Sequence, residues 1–418
     1  MLSLRMAIRN LLRNRWRSGL AAGGIAVATA MLIWNLGFID GFLDMMVRGA
    51  TDVETGHLQI QDERYVEQPA TMDYFEWNDE VRQTVEATPG VLAVTPRIRL
   101  FGLVGHEERS HIGRIIGIDP VTEPQVTVMD RGIVDGRWLD ESMPETGPAE
   151  VVIGIGLSRT LRVGVGDELV VIAEAVDGSM GDGLLEIVGI VQTGNSRIDR
   201  QAALLHMEEA EFIAAMEGAV HEAVVAIEDP PDAPDTARAV QQRLNAAGYD
   251  HLRVRPWQEV EPALHQMLLY TNTANFVIFA IIFFIVALGV LNALRMSARE
   301  RYREFGVMMA VGMSRAKMFS LIVIEGFLLG VVGAALGAGL GAAITGYHSV
   351  RGLDLSGFVD GDATYMGVSF ADRIHFVISA ETLLLPTLGL VMVSVVCALW
   401  PALSATRLVP RDAMSGRD

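Results

Sequence analysis

His106 and His111, in "HEERSH", come close to the H-E-x-x-H pattern in which two histidines one helical turn apart hold zinc and the glutamate acts as a base. One residue too many lies between them, so they do not share a helix face and no metal site is expected. Asp177 and Asp182 in "VDGSMGDG" lack the alternating oxygen ligands of a calcium loop, and the segment reads as a hairpin turn. Ser158 in "GIGLSRTL" lacks the G-x-S-x-G elbow that arms a serine nucleophile. Cys397, the only cysteine, lies in an apolar run and reads as buried filler. Lys317, the only lysine, stands in "SRAKMF" rather than in the G-x-x-x-x-G-K-[ST] loop that grips nucleotide phosphates. The chain is therefore expected to carry no catalytic set and to bind no metal or cofactor. Any work driven by ATP and Mg would have to come from a partner, and no nucleic acid is expected among the partners.

The elements that hold these residues are of two kinds. Half of the 418 residues are hydrophobic, yet the formal charge is -18, a pairing that fits membrane spans joined to a polar domain. Residues 49 to 265 hold 39 acidic side chains against 16 basic ones, so the acidity is concentrated there. Four apolar runs reach the ~20 residues that a bilayer core demands; they begin near Gly19, Asn275, Phe319 and Thr382. The first is preceded by Arg5, Arg9, Arg13, Arg15 and Arg17 but is longer than the apolar part of a signal peptide, so it reads as a retained span. Basic residues near spans mark the cytoplasmic side. Those five arginines, the insert with Arg295, Arg299, Arg301, Arg303, Arg315 and Lys317, and the tail with Arg407, Arg411 and Arg417 fall on one side if the chain crosses four times. Both termini are then cytoplasmic, and residues 49 to 265 lie outside, with the loop at 347 to 379 that carries Asp354, Asp360, Asp362 and Asp372.

The expected architecture is an α-helical membrane protein with four transmembrane helices and a large α+β extracytoplasmic domain inserted between helices 1 and 2. Its parts are 1 to 48, 49 to 265 and 266 to 418. In the exterior part "GHLQIQ", "AVTPRIRLFGLV", "RIIGI", "DELVVIAEAV" and "LLEIVGIV" read as strands, and "DAPDTARAVQQRLNAAG" as a helix stopped at Gly248. After Pro262 an amphipathic lead runs into the second span with no glycine or proline break, which predicts one long stiff helix. Glycines 326, 330, 333, 337 and 341 give the third span the small-xxx-small spacing of close helix packing. Glu325, several residues into that span, is costly there unless paired or wet.

The insert "RERYREFGVMMAVGMSRAKMFSLIVIEGFLLG" resembles the segment of FtsX/MacB-type ABC permeases in which R-x-R-E-[FI]-G leads through an A-x-G turn into the third span. "WPALSATRLVPRDAM" resembles the family's P-A-x-x-A-x-R-x-x-P ending, and "AIRNLLRNRWRSGLAAGGIAVA" its R-N-L-x-R opening. "GLSRTLRVGVGDELVVI", "GIVQTGNSRIDRQAALL" and "RVRPWQEVEPAL" are similar to exterior segments of the LolC/LolE lipoprotein-releasing branch, whose exterior part is a MacB-like periplasmic core domain. Arg303, Glu304, Gly306 and Gly312 match the insert motif, while Met313 stands where the family usually has a small residue.

The resemblance implies a non-catalytic permease subunit of the inner membrane, paired with a second copy or a sister permease and docking a cytoplasmic LolD-like ATPase. The insert would be its coupling helix, with Arg299, Arg301, Arg303, Glu304, Phe305, Gly306, Gly312 and Ser314 at the contact. Physically, Phe305, Met308, Met309 and Val311 rimmed by arginine suit a helix-in-groove contact; a basic loop lying among membrane lipid headgroups is the plainer alternative. The branch further implies that acylated lipoproteins enter between the first and second spans and leave to a periplasmic carrier. Met31, Trp34, Phe38, Phe276, Phe279, Phe283 and Phe284 would then face the acyl chains, or else the bilayer lipid. A MacB-like exporter and an FtsX-like regulator of cell-wall hydrolases share the architecture. MacB chains usually carry a fused amino-terminal ATPase, which is not expected here, and FtsX chains a smaller exterior domain.

Overall fold

The structure, a computed structural model, describes residues 2 to 13, 15 to 67, 70 to 144, 146 to 354, 364 to 365, 368 to 369 and 373 to 407. The chain divides into two compact units: Met1–Leu43 with Leu268–Leu355 and Arg373–Asp418, and Asp44–Met267 with Ser356–Asp372. The family-like ending beyond Arg407 and the acidic positions Asp360, Asp362 and Asp372 lie outside the described residues.

The first unit is helical. An amino-terminal helix, Leu2–Arg13, precedes four span helices: Arg15–Ala50, Pro262–Glu300, Arg315–Arg351 and Ala380–Thr406. Each is long and apolar enough to cross a membrane. The second is unbroken over 39 residues, about 58 Å at the helical rise, well beyond a bilayer's ~30 Å core. Ser379 starts the fourth with a capping box closed by Thr382, which satisfies amide groups that the first turn of a helix leaves free.

The glycine row of the third span has a specific use. Gly326 and Gly330 admit the fourth helix, since a β-carbon on Gly326 would sit 2.5 Å from Ala398 Cβ and one on Gly330 2.8 Å from Ser394 Cβ. One turn further on, the row passes to the first helix: a β-carbon on Gly333 would lie 2.8 Å from the Ala22 carbonyl, and one on Gly337 would fall on that of Ala26. The same stripe thus seats two neighbours in succession, with Ile25, Leu32, Leu329, Leu390 and Ala398 filling the shared core.

Among the described residues, the Asp44–Met267 part of the second unit has these strands: β1 (Leu58–Asp62), β2 (Phe75–Glu76), β3 (Val91–His106), β4 (Arg109–Ile118), β5 (Ile133–Gly136), β6 (Ala149–Gly154), β7 (Glu168–Glu174), β8 (Met180–Val191), β9 (Ala202–His206), β10 (Ala219–Val220), β11 (Glu222–Ile227) and β12 (Leu252–Pro256). The pairing order is β12-β1-β11-β3-β4-β9-β6-β8-β5, and β7 bridges β3 to β8. That bridge closes β3, β4, β9, β6, β8 and β7 into a ring. The helix Met207–Ala214 packs on one surface of the ring, where Gly117 and Gly181 lie flat against Ala210 and Ile213. On the other surface Val53, Met129 and Leu139 cover Ile116, Ile118, Val152 and Leu204. The strand assignments read from sequence fall on β1, β3, β4, β7 and β8. "HEERSH" is the β3 to β4 turn, with His106 opposite Arg109, and "VDGSM" is the β7 to β8 turn, where Asp177 accepts from the Ser179 amide at 2.9 Å. Ser158 donates to the Val163 carbonyl at 2.6 Å and closes its own short helix. The helix Ala233–Ala246 ends two residues before Gly248, whose φ of 90° only glycine adopts freely.

Gly337→Ala is expected to cost about 1–3 kcal/mol, because its methyl group meets backbone rather than a yielding side chain. Gly339→Ala, on the open side of the same helix, is expected to leave stability unchanged or slightly raised. Thermal unfolding of both variants in detergent checks the contrast.

Candidate coupling site

The insert is short and tightly held. Arg301 breaks the second span helix, a nine-residue helix Tyr302–Ala310 follows, and Gly312 reverses the chain at φ +105° into Ser314, which caps the third span helix. That φ is strained for any side chain, which is the physical reason for glycine in the A-x-G turn.

Charge pairs tie this segment to its neighbours within the first unit. Arg301 is 5% exposed and donates to both oxygens of Glu325, at 2.9 and 3.2 Å. Its Nε reaches Glu304 at 3.4 Å, and its guanidinium lies over the Phe305 ring. Glu304 also accepts two bonds from Arg13, at 2.8 and 2.9 Å, which hold its carboxyl below the usual range. Arg17 pairs with Glu300. A chain of charge from Arg13 through Glu304 and Arg301 to Glu325 therefore links the amino-terminal helix, the insert and the third span. Glu325 is paired rather than wet or snorkelling.

Phe305 behaves differently from the sequence expectation. It is 1% exposed, packed by Met318, Ile322, Ala402 and Ala405 of the same unit, so it serves as a core plug and cannot enter a partner's groove. Gly306 is buried beside it, and Met308 and Met309 are half-buried. The outward surface is made by Arg299, Tyr302, Arg303, Val307, Val311, Ser314 and Arg315, all exposed, with Val311 the most open of its apolar residues.

An open apolar groove of about 930 Å³ runs between the first and second span helices. Trp16, Leu20, Val27 and Met31 form one wall and Ile282, Ile285 and Val286 the other, above a floor of Gly19, Gly23 and Gly24. Of the residues expected from sequence to face cargo, Met31 lines this groove, and Phe276 and Phe284 are exposed. Trp34 and Phe38 instead stack on each other and meet Phe376 edge-on. Phe279 is in the helical core, and Phe283 presses on Gly389 at the site where a β-carbon would otherwise stand.

A second charged constellation, in the second unit, has no motif to announce it. Glu54 lies in the π-helical turn Thr51–Thr55 that extends the first span helix, and it is 2% exposed. It is ringed by Arg114 at 2.6 Å, Arg197 at 3.2 Å and Arg99 at 3.4 Å. Arg197 also donates to Glu261 at 2.6 Å, immediately before the second span helix begins at Pro262. Asn195 caps the helix that carries Arg197 and donates to Glu54 at 3.2 Å. One short segment, 195 to 197, thus holds the π-helical turn that follows the first span helix and the residue before the second. Burial works against the Arg99 charge, but Glu222 and Glu54 outweigh it and hold the guanidinium above its ordinary value. Arg114 is pushed below its ordinary value by burial and by Arg99. The one sequence signal was "RIR" inside an apolar strand, where Arg97 and Arg99 need buried partners; Arg97 finds Glu123, both side chains being almost wholly buried.

Arg301→Met alone leaves a buried, unpaired carboxylate and is expected to cost about 3–5 kcal/mol, most of it recovered when Glu325→Leu is added. A double-mutant cycle on Arg197→Gln and Glu261→Gln is expected to show coupling of about 0.5–3 kcal/mol. Unfolding midpoints in detergent check both, and strictly additive losses would count against either pairing.

Residues 18 to 243 match the MacB-like periplasmic core domain, and residues 276 to 410 match the FtsX-like permease C-terminal domain. The chain is 22% identical over 404 residues to the lipoprotein-releasing system transmembrane protein LolC of Neisseria meningitidis, covering 94% of this chain and 92% of that one. It is 20% identical to the macrolide export ATP-binding/permease protein MacB of Psychrobacter cryohalolentis, over 99% of this chain but 59% of that protein. The periplasmic region of MacB from Actinobacillus actinomycetemcomitans superposes on 52% of the chain and 95% of its own length, at 11% identity and a TM-score of 0.38. With a core-domain match over more than half its length and the permease domain behind it, the chain belongs to the FtsX/MacB-type family of ABC transporter permeases.

Proposed function

We propose that this permease releases acylated lipoproteins from the inner membrane to a soluble periplasmic carrier, driven by Mg-dependent ATP hydrolysis in a separate LolD-like ATPase. The observation that carries the reading is the groove between the first and second span helices. Its walls are mostly hydrocarbon with Arg15 at the lining, its floor is glycine with open space above Gly19, Gly23 and Gly24, and its volume lies within the range of small-molecule ligand pockets. End-to-end similarity to proteins named for lipoprotein release supports it. The ATPase sits on the exposed apolar and basic surface of Arg299, Arg303, Val307 and Val311, in the helix-in-groove manner. Cytoplasmic placement of that surface is supported by its basic charge and by the Arg13 to Glu304 contact, which brings the arginine-rich amino terminus beside it. A second permease, identical or sister, completes the dimer.

Displacement of the insert passes to the third span through Arg301 and Glu325, and to the amino-terminal helix through Glu304 and Arg13. The second span helix carries it outward as a rod, and at its outer end Arg197 holds Glu261 and Glu54 together. Export of peptides or small molecules is the second reading, favoured by the MacB alignments that run over nearly all of this chain.

Aspartate at Phe279 or Phe283 would break the helical core, so the groove is tested at Met31 and Ile285, which line it. Photocrosslinkers at Ile285 in growing cells are expected to trap triacylated lipoproteins. Met31→Asp is expected to reduce carrier-dependent release at least tenfold in proteoliposomes, with ATP hydrolysis retained. Val311→Asp is expected to lose the copurifying ATPase while the permease still folds. Trapped peptides or small molecules would move the function to export, and a trapped cell-wall hydrolase to an FtsX-like role.

A further inference from the structure

The ring of the second unit leaves part of one surface bare. Where Val53, Met129 and Leu139 cover it, Ile116 and Ile118 are buried. Two to four residues back along β4 and across on β3, the same surface presents Ile112, Leu103 and Phe101 to solvent. Pairing makes the patch continuous: Leu103 stands opposite Ile112 on one side and Ile172 on the other, and Val170 stands opposite Leu184. Directly opposed side chains lie about 4.5–5.5 Å apart at Cβ, so these residues form one apolar sheet face. Ile172 is half-buried among them, and the other five are between 42% and 70% exposed.

The border of the face is acidic. Strand alternation puts Glu168 and Glu174 of β7, and Asp182 and Glu186 of β8, on the same surface, all exposed. Glu168 is paired in register with Glu186, an arrangement of like charges that weakens a sheet unless a cation lies over it. Arg137, the guanidinium whose field Glu186 joins, is engaged by Glu150 and Asp140.

We infer that this face of β4, β3, β7 and β8 docks a protein partner whose contact surface is apolar at its centre and ringed with lysine or arginine. An apolar face of this extent is the usual mark of a contact surface, and its acidic rim selects the charge of what covers it. A second copy of this chain is disfavoured, because it would bring the same carboxylates to the same border. An anionic lipid surface is disfavoured on the same ground. The 39 acidic against 16 basic residues of 49 to 265 would also steer a basic partner toward the domain. The inference concerns the exterior unit alone and holds whichever cargo the permease carries.

The test places a photocrosslinking amino acid at Ile112, and separately at Leu184, in the full-length protein in its native host. Both positions are exposed, so the variants keep their cores. The expected result is the same protein adduct from both positions, other than this chain, whose crosslinked peptide lies in an apolar surface flanked by basic residues. Glu168→Lys with Glu186→Lys is expected to reduce that adduct at least tenfold, and raising salt from 50 to about 300 mM to weaken the purified complex by a similar factor. An adduct with a second copy of this chain, a lipid adduct, no adduct from either position, or a protein adduct indifferent to charge reversal and salt would each overturn the inference.

Discussion

A carboxylate inside a membrane helix is tolerated only if something pays for its lost water, and Glu325 is the point on which the helical unit turns. Arg301 supplies the charge and two hydrogen bonds, but it reaches Glu325 only because the second span helix ends at Glu300 and the chain turns there. The nine-residue insert helix and the strained Gly312 then return the chain to the third span in time for Ser314 to cap it. Pairing, turn and cap are one geometric solution. Phe305 plugs the same corner against Met318 and Ala402, keeping water from the ion pair and so strengthening it.

The same economy governs the helix packing. Without a hydrophobic drive between helices in lipid, association depends on close approach. The glycine stripe of the third span provides it twice, to the fourth helix at Gly326 and Gly330 and to the first at Gly333, Gly337 and Gly341. The second span helix touches this core through Phe279, Val290 and Leu294, while much of its length faces outward. That leaves an open seam beside the first helix. The second span helix is the most lightly packed of the four, and the third is the most buried.

Local pattern made much of this legible in sequence. Four runs of sufficient length became four span helices, period-two segments became β1, β3, β4, β7 and β8, and the absence of a break after Pro262 became one continuous helix. The insert motif was also readable, because Gly312 needs a conformation that only glycine holds cheaply. What stayed hidden depends on partners distant in the chain. Phe305 reads as exposed on an amphipathic helix until Ala402 and Ala405 arrive from the fourth span. Phe279 and Phe276 are indistinguishable by composition and lie three residues apart, yet one is packed into the helical core and the other is open. Glu54, Arg197 and Glu261 carry no motif, and only the fold brings them together.

The two charged constellations have the same form at opposite ends of the second span helix. At Arg301 the helix stops and a guanidinium crosses to a buried carboxylate; at Glu261 the helix is about to start and a carboxylate meets the guanidinium of Arg197. Buried or half-buried ion pairs contribute little net stability against well-packed apolar residues, but removing one member is expensive. They are therefore better suited to fixing position than to holding a fold together. The two differ in exposure: Arg197 is 40% exposed at its side chain and Arg301 is 6% exposed. Water competes for the first and scarcely for the second, so the pair at Glu261 is the more easily opened of the two.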